Sequence, residues 1–321
     1  MNKKIIKLST PWGHSFLKDQ IHPSIDDFIF EIDNNVQNCD FWIVWGGLPL
    51  NLKNQTAFCS RENIFFMTDE VHDQKQYLPE FLAQFHKVLT VRDDITHNNI
   101  TKIHEYNHWH LDKNIKELLA LNNIEKEKKI SVVCSDLTNL PGHKLRYALV
   151  NKLIGHFKDR LDVYGRGFNP IANKWDALAP YKYSIAIENN AVNGYFTEKI
   201  TECYLAHTMP IYYGAPDIDN YFSSHSYVTI DINNYKKTIE TIERVLEVDP
   251  YKDKLEIIKE EKNKYLSKYH LFSALSNFIK EISPSVLKKE RIMIFGQSRF
   301  DEYYHIKKML ALGKTILKRW K

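Results

Sequence analysis

Cysteine is scarce in this chain and never paired in sequence. Cys39, Cys59, Cys134 and Cys203 lie far apart with no CxxC pair, and three of them sit in or next to apolar runs, so we read all four as buried, reduced thiols. An even count would also allow two disulfides in a secreted protein. However, the opening MNKKIIKLSTPWG has only two consecutive apolar residues and does not read as a signal peptide. The same absence leaves the sequons Asn54-Gln55-Thr56 and Asn99-Ile100-Thr101 idle, because they matter only on a secretory route. Long apolar runs are missing too, and none approaches the roughly 20 residues that cross a bilayer. Charge of one sign is also lacking: 44 basic against 40 acidic residues leave a net +4, which argues against a polyanionic partner such as nucleic acid. No internal repeat or low-complexity segment is visible.

What remains is an ordinary globular composition, 43% hydrophobic and 26% charged over 321 residues, long enough for two domains. Short β-rich runs at Lys4 to Leu8, Asp27 to Ile32, Asp40 to Trp45, Asn63 to Met67 and Lys87 to Val91 predict a first α/β domain. A helix over Lys113 to Leu121 precedes Lys126-Lys128-Lys129, a charged, linker-like break that places a domain boundary near residue 126. Beyond it, strand (Ile130 to Cys134), helix (about Lys144 to Phe157) and strand (Leu161 to Tyr164) alternate, and a last strand spans Ser226 to Ile232. Such alternation builds a parallel sheet covered by helices. Lys236 to Leu246, Tyr251 to Tyr265 and Leu271 to Ile282 read as closing helices, ended by Ser283-Pro284. The expected division is therefore residues 1–125, residues 126–284 and a tail over residues 285–321.

The most informative stretch runs from Tyr181 to Pro216. Tyr183 to Ile187 alternates like a short buried strand and stops at Glu188, Asn189 and Asn190. In open α/β sheets ligands sit outside the carboxyl ends of the strands. Gly194 permits a turn, helical spacing begins at Tyr195, and Pro210 precedes a further strand, Ile211 to Tyr213. Lys199, near the start of that helix and beside backbone N–H groups without internal partners, suits the two phosphates of a nucleotide diphosphate. Glu198 suits ribose hydroxyls. An exposed Glu-Lys pair on a solvated helix would look the same in isolation; the neighbouring Asn-Asn strand end favours the ligand reading.

These residues also carry a family resemblance. Ile187-Glu188-Asn189, then Gly194-Tyr195-Phe196-Thr197-Glu198-Lys199, then Pro210-Ile211-Tyr212-Tyr213-Gly214-Ala215-Pro216 resembles the signature of the α1,3/α1,4-fucosyltransferases, glycosyltransferase family 10, of bacterial type. Three blocks in order are far more specific than a lone glycine motif. The resemblance implies a GT-B fold, two Rossmann-like domains facing across a cleft, with the donor bound by the second and the acceptor by the first. It also implies GDP-fucose as donor, with Tyr195 and Asn189 fixing the phosphate or base. Animal members carry an N-terminal membrane anchor, so its absence here implies a bacterial enzyme on the cytoplasmic side.

Sugar transfer from a nucleotide needs stabilised charge on the departing pyrophosphate and a base for the acceptor hydroxyl. For the charge, Arg146 follows the strand end at Ser135, and a guanidinium suits bidentate phosphate recognition. The octet Arg146 to Leu153 resembles the family's Arg-containing segment. Sliding the alignment by three would put His143 there, but Asn151 and Leu153 then no longer match. Tyr164-Gly165-Arg166-Gly167-Phe168 ends a predicted strand and resembles a family stretch, which gives Tyr164 and Arg166 a place at the guanine or phosphate side; a plain turn is the other reading.

For the base, Asn63 to Glu70 resembles the family strand that runs into a glutamate-bearing turn. Aligning on Thr68 makes Glu70 the base, whereas an ungapped alignment makes it Asp69. Solvated turn carboxylates would read the same way. No metal is expected. Asp217-Ile218-Asp219 follows a proline at a turn, and His104, His108 and His110 lack a Cys or acidic ligand to complete a set.

At the C-terminus, Ile306, Met309, Leu310, Leu312, Ile316, Leu317 and Trp320 recur at helical spacing, with Lys307, Lys308, Lys314, Lys318, Arg319 and Lys321 on the other face. A basic amphipathic helix of this kind suits an anionic membrane surface, and packing on the protein's own core is the alternative. The expectation is an inverting transferase, needing no cofactor, that moves L-fucose to O3 of a GlcNAc or glucose unit on a bacterial surface glycan such as lipopolysaccharide O-antigen. It would work in the cytoplasm or peripherally on the inner face of the cytoplasmic membrane. Another nucleotide-linked deoxysugar, or a non-catalytic nucleotide-sugar-binding protein, are the competing readings.

Overall fold

The computed structural model describes residues 3–13, 15–33, 35–282 and 288–301. Their contacts divide the chain into two α/β units. The first takes the described parts of 1–18, 24–103 and 282–321, and the second takes 19–23 and 104–281. In the first unit the strands are β1 (Lys4–Ser9), β2 (Phe28–Ile32), β3 (Phe41–Trp45), β4 (Asn54–Cys59), β5 (Ile64–Met67), β6 (Lys87–Thr90) and β7 (Ile100–Lys102), with a one-turn helix α1 (Pro79–Leu82) between β5 and β6. All but β4 form one parallel sheet in the order β2-β1-β3-β5-β6-β7. β3 is buried at all five positions, as expected of a central parallel strand covered on both faces, while β2 alternates at the edge.

The second unit opens with α2 (Ile115–Ala120) and continues through β8 (Lys128–Val133), α3 (Pro141–Phe157), β9 (Asp162–Tyr164), α4 (Trp175–Leu178), β10 (Tyr181–Ile187), α5 (Glu198–Leu205), β11 (Met209–Tyr213) and β12 (Val228–Thr229). Helices α6 (Tyr235–Val248), α7 (Tyr251–Lys264) and α8 (Leu271–Glu281) close it. Its parallel sheet has the order β12-β11-β10-β8-β9, so the winding reverses between β8 and β10. Ligands bind at such a reversal, outside the strand ends.

The division falls after Ile103 rather than near residue 126. Residues 104–121 pack on the second unit because Trp109, Leu111, Ile115 and Leu118 are buried in the same core as Ile130 and Val132. The helix start is fixed by a reciprocal cap between Asn114 and Glu117. Within the expected tail, the apolar run Ile292 to Phe295 reads as a short strand, and β13 (Glu290–Phe295) forms there; it returns to the first unit and pairs antiparallel with β4, a strand whose polar Asn-Gln-Thr start hides it in the sequence. The amphipathic segment over residues 305–321 lies outside the described residues. Among the described residues no helix is long and apolar enough to cross a membrane.

Lys126 is the sharpest reversal in this region. Instead of a solvated linker charge, its ammonium donates to Ala179 O and Ala206 O, both at 2.7 Å, and to Thr208 Oγ1 at 2.9 Å. Burial pushes its pKa down to about 7. The side chain ties the start of β8 to the segments around β10 and β11. Lys126→Met keeps the stem but strands these acceptors, and should cost about 2 kcal/mol in urea unfolding; a cost below about 0.5 kcal/mol would show that the carbonyls do not need it.

Candidate active site

Two strand ends define the crevice of the second unit. β8 runs out into Cys134-Ser135, and β10 into Glu188-Asn189. Arg146, in the second turn of α3, bridges them: one guanidinium nitrogen donates to Asn189 Oδ1 at 2.5 Å and another to Ser135 Oγ at 3.1 Å. α3 can approach this closely because Gly142 has no side chain. A Cβ there would lie 1.7 Å from Asn189 O. Arg146 is 7% exposed, and its Nε–H has no acceptor among the described residues.

On the other side of the crevice the chain enters α5 through a polar cap. Helical geometry begins at Glu198 rather than Tyr195, because Thr197 is the extended N-cap residue and its hydroxyl accepts from the Lys199 amide at 3.5 Å. Tyr195 is buried in the approach to that cap, 2% exposed. Thr197 also donates, through its amide at 2.7 Å and its hydroxyl at 2.7 Å, to the fully buried carboxylate of Glu188.

From Glu188 the charges alternate. Lys199 Nζ is 3.3 Å from Glu188 and 3.3 Å from Glu198; Lys174 Nζ is 3.6 Å from Glu198 and 3.0 Å from Glu202. Glu202 also accepts from the His110 amide at 2.6 Å. Burial works against charge at Lys199 and Lys174, yet the flanking carboxylates prevail and hold both pKa values above the ordinary lysine range. Burial also raises Glu188 and Glu202, opposed by their lysines, whereas at Glu198 two lysines overcome burial and hold the carboxyl well below its usual range.

These groups surround a cavity of about 220 Å³ whose charged lining is Arg146, Arg166, Lys174, Lys199, Glu198 and Glu202. Four cations and two carboxylates line it, and Glu188 and Asp136 pair with Lys199 and Arg166 from outside the lining, so guanidinium and ammonium donors stand at one wall, where an anion's oxygens can meet them. The Gly165-Arg166-Gly167 turn reaches it because both glycines take positive φ, 117° and 83°, and a Cβ at Gly165 would lie 2.1 Å from Cys134 O. Arg166 is exposed and paired with Asp136 at 3.0 Å. Tyr164 is directed elsewhere, with its hydroxyl 2.7 Å from Tyr181 in a chain that ends on Asp162.

The structure thus brings Arg146, Arg166, Glu198 and Lys199 together at one cavity, with Asn189 holding Arg146, while Tyr164 and Tyr195 are not among the lining residues. Lys174 escaped the sequence reading because it stands alone in a loop. Glu202 could have been found, being one helical turn beyond Glu198 on the same face. His143, the alternative to Arg146, bonds Asn139 at 2.8 Å. Asp217 accepts from the Gly194 amide at 2.7 Å and Asp219 from the Tyr227 hydroxyl, so both carboxylates hold turns. His104 bonds Tyr269 O at 3.1 Å and stacks on Phe196. Among the described residues no group of three His, Cys, Asp or Glu side chains could hold a metal ion.

In the first unit, Asp69 and Glu70 follow β5. Asp69 is sequestered: its side chain is 3% exposed, ion-paired with Lys75 at 3.0 Å and hydrogen-bonded by the Tyr77 hydroxyl. Glu70 is only partly buried, and its carbonyl accepts from Arg92 at 3.1 Å.

Residues 123–270 match the family model described as glycosyltransferase family 10 (fucosyltransferase), C-terminal part. This stretch is a family 10 glycosyltransferase domain. A segment of 152 residues is 30% identical to the alpha-(1,3)-fucosyltransferase FucT of Helicobacter pylori, covering 47% of this chain and 25% of that protein. The match therefore spans about a quarter of the curated relative. The whole fold is similar to the crystal structure of an α1,3-fucosyltransferase, with a TM-score of 0.51 at 19% identity over 88% of this chain and 91% of the other. A crystal structure of α1,3-fucosyltransferase with GDP gives 0.50 at 19% identity, over 84% and 92%. The family 10 domain accordingly sits within a GT-B fold of two Rossmann-like α/β units.

Thr197→Val preserves the shape of the cap but takes a donor from Glu188. The expected loss is about 1–3 kcal/mol of stability in urea unfolding. An unchanged midpoint would mean that the Thr197 amide and Lys199 suffice.

Proposed function

We propose that the chain is an inverting glycosyltransferase that moves L-fucose from GDP-fucose to a hydroxyl, O3 of a GlcNAc or glucose unit, on a bacterial surface glycan such as lipopolysaccharide O-antigen. The observation that carries this reading is the buried Arg146 Nε–H, which has no acceptor among the described residues, at a cavity lined by four cations. A buried donor left unpaired is costly, and a ligand oxygen would satisfy it. A diphosphate brings the oxygens and the charge. The names of the relative, an alpha-(1,3)-fucosyltransferase, and of the structure with GDP supply the sugar and the nucleotide.

In this mechanism the acceptor oxygen attacks C1 of fucose from the face opposite the phosphate. The C1–O bond to the β-phosphate breaks, its electron pair leaves with GDP, and the configuration inverts. Arg146 and Lys199 stabilise the departing charge, with Arg166 beside them, and Lys174 keeps Glu198 ionised for the ribose hydroxyls. No metal is required for this neutralisation. Asn189 and Tyr195 serve by holding Arg146 and the approach to the cap, and Tyr164 by supporting the strand end beside Arg166.

The acceptor proton goes to Glu70. The choice of Glu70 over Asp69, whose oxygens meet Tyr77 and Lys75, rests on aligning the strand end on Thr68. The protein would act in the cytoplasm, with residues 303–321 touching an anionic membrane surface. That contact rests on their basic amphipathic pattern, and deleting them should abolish sedimentation with phosphatidylglycerol vesicles; unchanged sedimentation would discard it.

Incubation with GDP-fucose and glycans should release GDP in proportion to fucosylated product. Glu70→Gln should retain GDP binding while turnover falls at least about a hundredfold. An active Glu70→Gln alongside a dead Asp69→Asn would transfer the role to Asp69. GDP binding without any transfer would leave a nucleotide-sugar-binding protein.

A further inference from the structure

The first unit has a winding reversal of its own, between β1 and β3. At the end of β1 the chain reads Ser9-Thr10-Pro11-Trp12-Gly13, and at the end of β3 it reads Trp45-Gly46-Gly47. The two tryptophans meet edge to face, with ring centroids 4.9 Å apart at 75°. Trp45 is buried at 3% exposure, whereas Trp12 keeps 39% of its surface open.

The ring of Trp12 is carried on a fastened turn. Asp33, at the end of β2, accepts from the Thr10 amide at 2.6 Å and from the Thr10 hydroxyl at 2.7 Å, and the Trp12 amide reaches Thr10 Oγ1 at 3.4 Å. Asp33 holds a left-handed backbone with φ 50° to do so, a conformation that costs a non-glycine residue energy. Gly13 continues the turn with φ 65°. One strand along, Gly46 has φ 72°, and a Cβ there would lie 2.4 Å from the Asp69 carboxylate. The margin of β1, β3 and β5 is thus closely built, with an aromatic plate at one end and the Asp69-Glu70 turn at the other.

Two strand spacings separate β1 from β5, about 10 Å. A pyranose ring with its substituents is of that scale. Pyranoses are amphipathic: their axial C–H faces pack on aromatic rings while the equatorial hydroxyls seek polar groups. A half-open tryptophan immobilised at a strand-end crevice offers the apolar surface at low entropic cost. From this geometry we propose that Trp12, backed by Trp45, is the stacking platform for the acceptor sugar, setting the ring whose hydroxyl meets Glu70. The proposal rests on the glycosyltransferase reading for the identity of its ligand.

Saturation-transfer NMR with N-acetyllactosamine and with lactose, which carry the GlcNAc and glucose units, tests it without turnover. Wild type should show transfer to the ring protons of at least one disaccharide. Trp12→Ala should lose it, Trp12→Phe should regain most of it, and GDP affinity should stay within twofold in both variants, which also reports that they fold. In the transfer assay Trp12→Ala should raise acceptor KM at least tenfold with GDP-fucose KM unchanged. Retained saturation transfer in Trp12→Ala, or none in wild type with either sugar, overturns the proposal. Failure of the transferase reading looks different, as sugar binding that responds to Trp12 with no fucosylated product.

Discussion

A single guanidinium bridging two strand ends is the constraint on which the second unit depends. Arg146 reaches Ser135 after β8 and Asn189 after β10, so it spans the line where the sheet reverses its winding. Its neighbours make sense as consequences of that bridge. Gly142 lets the helix carrying it lie against the Asn189 backbone, and Gly165 lets the next strand end fold over Cys134. A cation with three faces needs three sets of acceptors; the described residues supply two, and Nε has no partner among them.

Carboxylates around an anion site look self-defeating until their effect on the lysines is considered. Desolvation works against the charge on Lys199 and Lys174. Glu188, Glu198 and Glu202 outweigh it and fix each ammonium from two sides. Glu188 is in turn held by Thr197, the residue that caps α5. Helix start, buried carboxylate and ligand-facing cation therefore form one hydrogen-bonded unit, and disturbing any member changes the charge that the cavity presents.

Much of this was legible before any coordinates. The β10–α5–β11 stretch announced its strand, its polar break and its helix, since apolar periodicity and Pro210 mark them, and Arg146, Glu198 and Lys199 followed from position at a strand end. What escaped had no local signal. Lys126 reads as a linker charge because nothing in its neighbours shows that Ala179, Ala206 and Thr208 will converge on it. β4 is polar at its start and pairs with a strand more than two hundred residues away, so its register is purely tertiary. Lys174 belongs to the same class, a lone loop lysine whose role is set by Glu198 and Glu202. For Tyr164 the strand was legible, but the direction of its hydroxyl was not, since that depends on Tyr181 and Asp162.

Both units are parallel sheets that reverse once, yet they equip their strand ends with opposite chemistry. The β8/β10 margin concentrates cations and buries the carboxylates that steady them. The β1/β3 margin holds a tryptophan pair and a left-handed aspartate, and beside it Lys75 and Arg92 are engaged by the Asp69-Glu70 turn itself. A crevice lined by ammonium and guanidinium groups rewards a phosphate and gains little from a neutral sugar, whose hydroxyls compete poorly with water for such donors. An aromatic plate does the reverse, since it gains by removing C–H surface from water and offers nothing to a phosphate. Within that turn Asp69 meets Tyr77 and Lys75 and so fastens the chain that follows β5. Two parallel sheets that each reverse once can therefore suit unlike ligands by what each places at the end of its strands.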